Sequence, residues 1–526
     1  MWRHRGKPWI GILTTLLIFG ALLATTVFAQ EQGYQGSFPK YVFFFIGDGM
    51  GINHIHATEL YKGVVLEGKE TPSKLTFTSF PIVGLNTTYA ADTLITDSAS
   101  AITAIATGHK TNDGVLNMDP SLSQKLTTFA ELAKQEGWKV AVLSSVSLDH
   151  ATPAGFYAHN KSRNNYYDIA LEMGESNFDF FAGGGLRQPK GKEKDKRDAL
   201  EIIAEKGYQV VTIASREDLA KVTPGQKALL INGVLDEDAA MPYEIDRAAE
   251  DLSLADYTRK AIEMLQGQDR FFIFVEGGKI DWASHANDAK AVIYDVLAFD
   301  EAIKEAVKFY KQHPNDTLIV VTSDHDNGGM SLGQALTRYE LYLEVLKQQK
   351  GSYLAFDQLV RKYRENTPGE KASFEDFFPT IGDFYGLLLI SEEERNALNE
   401  KAKTGDKEAA MKLHMSLTPR EEKILREAFS ESMKKKDERA KGEEAYLAYG
   451  GYEPVTMACS HILNAKAGIG WTTYSHLATP TLVFSIGAGS ELFGGYFDNT
   501  DFFTKFTMVM NLELIAMPAT KEPAKP

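Results

Sequence analysis

"FFIFVEGGKIDWASH" (Phe271–His285) decides how the chain is read. Its first five residues are apolar without a break, as in a strand covered on both faces of a parallel sheet. Glu276 follows at once, then two glycines, then Asp281 and His285. A four-residue spacing puts the last two on one face of a helix. A carboxylate set directly at the end of a buried strand is costly unless something pairs with it. As a lone pair, Asp281 and His285 fit a surface ion pair as well as a ligand pair.

The same arrangement recurs three times. Tyr41–Ile46 runs into Gly47-Asp48-Gly49-Met50-Gly51, Val140–Ser144 into Asp149-His150-Ala151-Thr152, and Leu318–Thr322 into Asp324-His325. Helical stretches lie between, one marked by Val292, Val296, Phe299, Ile303 and Val307 at three- and four-residue steps. Alternating buried strands and helices predict an α/β fold, a mostly parallel sheet with helices on its faces. Ligands of such sheets bind beyond the carboxyl ends of the strands. Each motif alone also reads as a turn, a cap or a salt bridge. Gathered at one rim, however, their carboxylates would repel one another unless cations neutralised them. Imidazole with carboxylate suits zinc, while carboxylate, hydroxyl and water suit magnesium. Two ions about 3.5–4 Å apart form a recurring clamp for in-line displacement at phosphorus.

A nucleophile is offered by "TDSASAITAIATG" (Thr96–Gly108), where Ser98 opens a helix of small residues. A serine there is ordinarily a cap. The same position is also an anion site, and a nearby metal could ionise the hydroxyl without a histidine base. The Gly-x-Ser-x-Gly elbow is absent around Ser98, and the chain has no Gly-x-x-x-x-Gly-Lys-Ser/Thr loop.

The chain has 526 residues, 44% hydrophobic and 24% charged, which is ordinary for a globular protein. Its net charge of −15 leaves no cationic excess for a nucleic-acid grip. Residues 1–29 read as a signal peptide: Arg3, Arg5 and Lys7, a charge-free run Trp9–Phe28, and small residues around Ala29. Export to a periplasm or out of the cell follows. The run is also close to membrane-spanning length, so an uncleaved anchor is the alternative; once cleaved, no stable membrane span is left. With Cys459 as the single cysteine, no internal disulfide can form, and metal ions are the available cross-link. The expected organisation is an α/β catalytic domain over 38–331, a helical insertion over 332–446, completion of the catalytic domain over 447–517, and a frayed tail at 518–526. Ser391…Glu394 and Thr418…Glu421, the latter with Pro419, predict capping boxes in the insertion.

Six motifs in order, "FFFIGDGMG", "TDSASAITAIATG", "DHATPAGFYAHNKSRNNY", "VEGGKIDWASHANDA", "TLIVVTSDHDNGG" and "GWTTYSH", resemble those of the alkaline phosphatases. The resemblance implies an α/β/α sandwich, a homodimer, and hydrolysis of phosphate monoesters by two in-line displacements. It implies Ser98 as the nucleophile that becomes phosphoserine, and Arg163 as the fork on two phosphoryl oxygens. It implies Asp281, His285 and His476 as ligands of a first Zn2+, and Asp48, Asp324 and His325 as ligands of a second. Asp48, Thr152 and Glu276 match the shell of one Mg2+, with His150 beside it. Two positions depart from some bacterial members, which carry aspartate at His150 and lysine at Trp282. The first leaves the third metal less fixed than the zincs; the second implies a weaker hold on product phosphate. A sulfatase would need x-Pro-x-Arg after its nucleophile, which Ser98-Ala99-Ser100-Ala101-Ile102 lacks. A diesterase would gain nothing from an arginine fork. A phosphate-binding protein without catalysis would not need Ser98 among the ligands.

Overall fold

The computed structural model describes residue 34 and residues 36–367 and 371–513. The expected signal peptide and the expected tail at 518–526 lie outside the described residues. Ten strands form one sheet: β1 Tyr41–Gly47, β2 Ile82–Thr87, β3 Lys139–Ser144, β4 Phe180–Gly183, β5 Tyr208–Ile213, β6 Lys227–Asn232, β7 Phe271–Gly277, β8 Thr317–Thr322, β9 Thr481–Gly487 and β10 Gly495–Asp498. Their order is β10-β2-β9-β8-β1-β7-β3-β4-β6-β5. Only β9 runs against the others, pairing antiparallel with both β2 and β8. The sheet is therefore mixed but mostly parallel, as the uninterrupted apolar runs imply.

Alternation along the central strands explains the three layers. Phe43 and Phe45 of β1, with Ile273 and Val275 of β7, point into one core. Val42, Phe44 and Ile46, with Phe272 and Phe274, point into the other. The first core is roofed by the helix Ala289–Gln312, whose Val292, Val296, Phe299 and Ile303 are fully buried. The second is roofed by Ser98–Thr107, Phe129–Gln135 and Asp501–Val509, through Ile102, Phe129 and Phe506. Each fully buried Phe or Leu contributes roughly 1.5–3 kcal/mol relative to exposure. Covering both faces is thus the main stabilisation of a sheet with no polar side.

Between Leu332 and the helix Pro454–Ala467 the described residues are largely helical. Phe356, Phe377, Leu425 and Phe429 join Val455 and Leu463 in the first core, so the segment packs onto that helix. Thr418 and Glu421 form the reciprocal box with Pro419 in the first turn. Ser391 accepts from the Glu394 N–H without the return bond. Glu394 lies on an exposed first turn with Glu392 and Glu393, where solvent satisfies it equally well. The helix Glu443–Tyr449 runs across the expected boundary at 446.

Candidate active site

The four strands that carry the motifs are consecutive neighbours, β8-β1-β7-β3. Register sets their ends level: Ile46 lies opposite both Thr322 and Glu276, and Glu276 opposite Ser144. Asp48 and Asp324, each two residues beyond such a partner, therefore emerge side by side. Gly49 then turns with φ +66°, and a Cβ there would stand 2.7 Å from Asp281 Oδ1. Only glycine meets both conditions. Its N–H donates to Asp324 Oδ1 at 3.2 Å.

Three groups of acid and imidazole result, each with ligand atoms within 4.8 Å of one another: Asp281–His285–His476, Asp48–Asp324–His325, and Asp48–His150–Glu276. In the first, His285 Nδ1 donates to the Tyr474 carbonyl at 2.6 Å and His476 Nδ1 to the Thr96 carbonyl at 2.8 Å. A carbonyl only accepts, so both rings carry a proton on Nδ1. In the neutral form of both rings the Nε2 lone pairs face each other across 3.2 Å, with Asp281 at 3.4 and 3.6 Å. Two lone pairs and a carboxylate aimed at one point are what a divalent cation requires, and each outer hydrogen bond fixes the tautomer.

In the second group, His325 Nε2 lies 3.3 Å from Asp48 Oδ1 and 3.3 Å from Asp324 Oδ2. Asp48 Oδ1, Asp324 Oδ2 and Glu276 Oε1 are buried and accept no hydrogen bond. Unpaired buried carboxylate oxygens are among the costliest groups a fold can carry, and a cation removes the cost. Thr152 Oγ1 donates to Asp48 Oδ2 at 3.2 Å, and Ser144 donates to Glu276. Rings of His325 and His476 stack at 3.6 Å, joining the first two groups into one mouth.

Electrostatics follow from the crowding. Burial, then the charges of Asp324, Asp281 and Glu276, push Asp48 well above the ordinary carboxylate range. Burial raises Glu276 to about 7 and Asp324 to about 8. Asp281 goes the other way: burial would raise it, but the imidazoles of His285, His476 and His325 hold it well below the usual value. Without cations, the mouth neutralises itself by keeping protons.

Ser98 is buried at the start of its helix, with Oγ 3.2 Å from His325 Nε2. Asp97 caps the helix by accepting from Ser100 N–H at 2.9 Å, and its other oxygen takes Arg163 Nη1 at 2.9 Å. Burial would raise Asp97, but Arg163 and the cap bonds hold it at about 2. Arg163 Nη2 donates to His150 Nε2 at 3.1 Å. Burial and the guanidinium keep His150 neutral, down at about 3. Since a guanidinium can only donate, the ring proton sits on Nδ1, which has no partner. His150 lies close enough to share an ion with Asp48 and Glu276, but must first exchange Arg163 or that proton.

All eleven residues singled out from sequence thus meet in one cleft. Asp149, in the same motif, turns away to accept from the Arg187 N–H at 2.9 Å. Sequence reasoning missed Asp97 as the anchor of Arg163; its place before Ser98 was visible, its partner 66 residues on was not. It also missed Asn327, whose amide donates to Asp281 Oδ1 at 2.6 Å and to the Asp281 carbonyl at 3.0 Å.

A hydroxyl at a helix start, an arginine beside it and three cation-ready groups on the carboxyl rim of an α/β/α sheet define a metal-dependent hydrolase of the phosphoryl-transfer kind. The chain belongs to the alkaline phosphatase family, whose model matches residues 39–512. Members are phosphomonoesterases, and this protein is one of them. Over 503 residues it is 28% identical to alkaline phosphatase 4 of Bacillus subtilis (strain 168), covering 94% of this chain and 93% of that one. The Thermus thermophilus alkaline phosphatase structure is 25% identical, with a TM-score of 0.72 over 92% of this chain and 94% of that chain. The cold-active enzyme of the psychrophile Shewanella sp. gives 26% and 0.67 over 89% and 99%. The alkaline phosphatase of the Antarctic bacterium TAB5 has been solved as a His-to-Asp mutant with Mg bound in its M3 site. It is 25% identical, with a TM-score of 0.60 over 91% of this chain and 100% of that chain. Among the described residues, no helix is long and apolar enough to cross a membrane.

Proposed function

We propose that this protein is an exported phosphomonoesterase working through a phosphoserine at Ser98, with two Zn2+ and one Mg2+ per chain. The observation that carries the metal assignment is the pair of Nε2 lone pairs facing each other beside Asp281, with the unpaired oxygens of Asp48, Asp324 and Glu276 behind them. Asp281, His285 and His476 would hold one zinc, and Asp48, Asp324 and His325 the other. Asp48, Glu276 and Thr152 offer oxygen alone, the set magnesium favours. Bound there, the ions would supply the positive charge that ionises the serine and steadies the departing oxygen.

The chain's own residues do the rest. Ser98 Oγ, freed of its proton, attacks phosphorus in line, and the P–O bond to the alcohol breaks. Arg163, swung from His150, places two N–H groups on the non-bridging oxygens, a fork lysine cannot make. Asp97 keeps that guanidinium aimed while it turns. Water then displaces Ser98 from phosphorus and free phosphate leaves. The segment 332–446 is read as an insertion beside the site, export rests on residues 1–29, and the homodimer on the family likeness.

Ser98→Ala removes the attacking oxygen and leaves every carboxylate and imidazole in place. Turnover of p-nitrophenyl phosphate should fall by several orders of magnitude, with two zincs per chain retained by elemental analysis. Unaltered turnover would remove Ser98 from the reaction.

A further inference from the structure

Lys279 opens the helix Lys279–His285 that carries Asp281, Trp282 and His285, yet its own side chain is fully buried and the proposed reaction does not use it. A buried ammonium is costly unless its charge is met. Here Nζ donates to Asp236 at 2.5 Å. The same nitrogen stands 3.7 Å from the centre of the Tyr243 ring and 5.1 Å from that of Trp282, both within cation–π reach. One ion pair and two aromatic faces therefore hold it.

Those supports are themselves fixed. Asp236 begins a loop in which Asp238 and Ala239 take φ +57° and +59°, a region that residues other than glycine seldom enter. Such backbone persists where its surroundings over-determine it. Two contacts do so here: the Gly185 N–H donates to the Ala239 carbonyl at 2.8 Å, and Arg187 pairs with Asp238 at 2.7 Å. Tyr243 is fully buried, and its hydroxyl donates to Tyr353 Oη at 3.3 Å.

Trp282 carries this fixity into the site. Its indole meets His150 edge to face, with ring centres 5.7 Å apart. His150 Nδ1 has no hydrogen-bond partner and its Nε2 takes Arg163, so the indole is the packing partner that steadies the ring. Both terminal nitrogens of Arg163 are engaged at rest, Nη1 by Asp97 and Nη2 by His150. In the proposed reaction the guanidinium swings from His150 to fork phosphate, so His150 and phosphate compete for it.

We infer that Lys279 is a positioning residue for product hold: by keeping Trp282 against His150 it stabilises the resting Arg163–His150 contact, which phosphate must displace. Whatever lowers the fraction of arginine free to bind lowers the apparent phosphate affinity by the same factor. The inference deepens the phosphomonoesterase reading and rests on it.

The test is a double-mutant cycle on phosphate binding, read by titration calorimetry of inorganic phosphate into metal-loaded, full-length protein. Lys279→Met combined with Asp236→Asn removes the ammonium without stranding its partner's charge. It should lower the phosphate Kd about 3- to 10-fold. In a Trp282→Ala background the same two changes should shift Kd by less than about twofold, because the ring through which Lys279 acts is gone. An equal shift in both backgrounds would overturn the inference, since Lys279 would then act through the fold at large. So would an unchanged or raised Kd, or loss of metal from the variant by elemental analysis. If the combined variant does not fold, Asp236→Asn alone, which loosens the ammonium but keeps it, should shift Kd in the same direction by about twofold, and no shift would refute the role. Wild-type protein that hydrolyses p-nitrophenyl phosphate keeps the hydrolase reading whatever the cycle shows; wild-type protein that does not would overturn that reading and the inference with it.

Discussion

Stripping the metals should make the protein's stability depend on pH in a way the loaded protein does not show. Glu276 and Asp324 are fully buried, and in the metal-free fold burial lifts them to about 7 and about 8. In the unfolded chain both titrate near 4. The sign follows from proton counting. Between pH 4 and 8 the folded state holds protons that the unfolded state has lost, so unfolding free energy falls as pH rises. Each tenfold difference in proton affinity is worth about 1.4 kcal/mol. Allowing for relaxation and shared protons, the two groups together lose on the order of 5 kcal/mol across that range. Unfolding entropy near 2 cal/mol/K per residue makes this about 5 °C in Tm for a chain of this length. Scanning calorimetry of loaded and chelator-treated protein at several pH values from 5.5 to 9 reads the gap directly. It should widen with pH, and Glu276→Gln should narrow it at the alkaline end. A gap that stays constant or shrinks toward pH 9 would refute the idea that cations neutralise these carboxylates.

Asp97→Asn keeps the helix cap and removes the charge that aims Arg163, so inhibition by inorganic phosphate should weaken about 10-fold with metal content unchanged. Loss of metal instead would mean Asp97 serves the fold. Trp282→Lys places an ammonium beside His150, whose ring lies 5.7 Å from the indole, and should tighten phosphate inhibition several-fold. An unchanged inhibition constant would dismiss Trp282 as a determinant of product hold. Asn327→Ala frees Asp281 Oδ1 from its amide partner and should cut zinc affinity about 10- to 100-fold, read by competition with a chromophoric chelator.

The central strands were legible because burial on both faces leaves an unbroken apolar run, as in Tyr41–Ile46 and Phe271–Val275. β5 was not, since as an edge strand it mixes Gln209 and Thr212 with half-buried valines. β2 was missed for a related reason: Val83 and Leu85 face outward, so its pattern contradicts its burial. At the site, strand-end acids announced themselves by their cost, and Ser98 by its helix start. His476 and Arg163 carried no local signal and were placed only by resemblance. Asp97 and Asn327 act through partners 66 and 46 residues away, a distance no local spacing expresses.

One feature of the sheet bears on how the protein is made. β1 is synthesised first, yet its two neighbours, β7 and β8, begin 230 and 276 residues later. Until they emerge, Tyr41–Ile46 has no edge to pair with and offers a sticky, charge-free six-residue run to any other chain. Folding of this kind is slow and governed by long-range closure, not by sequential growth from the amino end. Carboxyl-terminal truncations short of β8 should therefore aggregate instead of yielding a smaller enzyme.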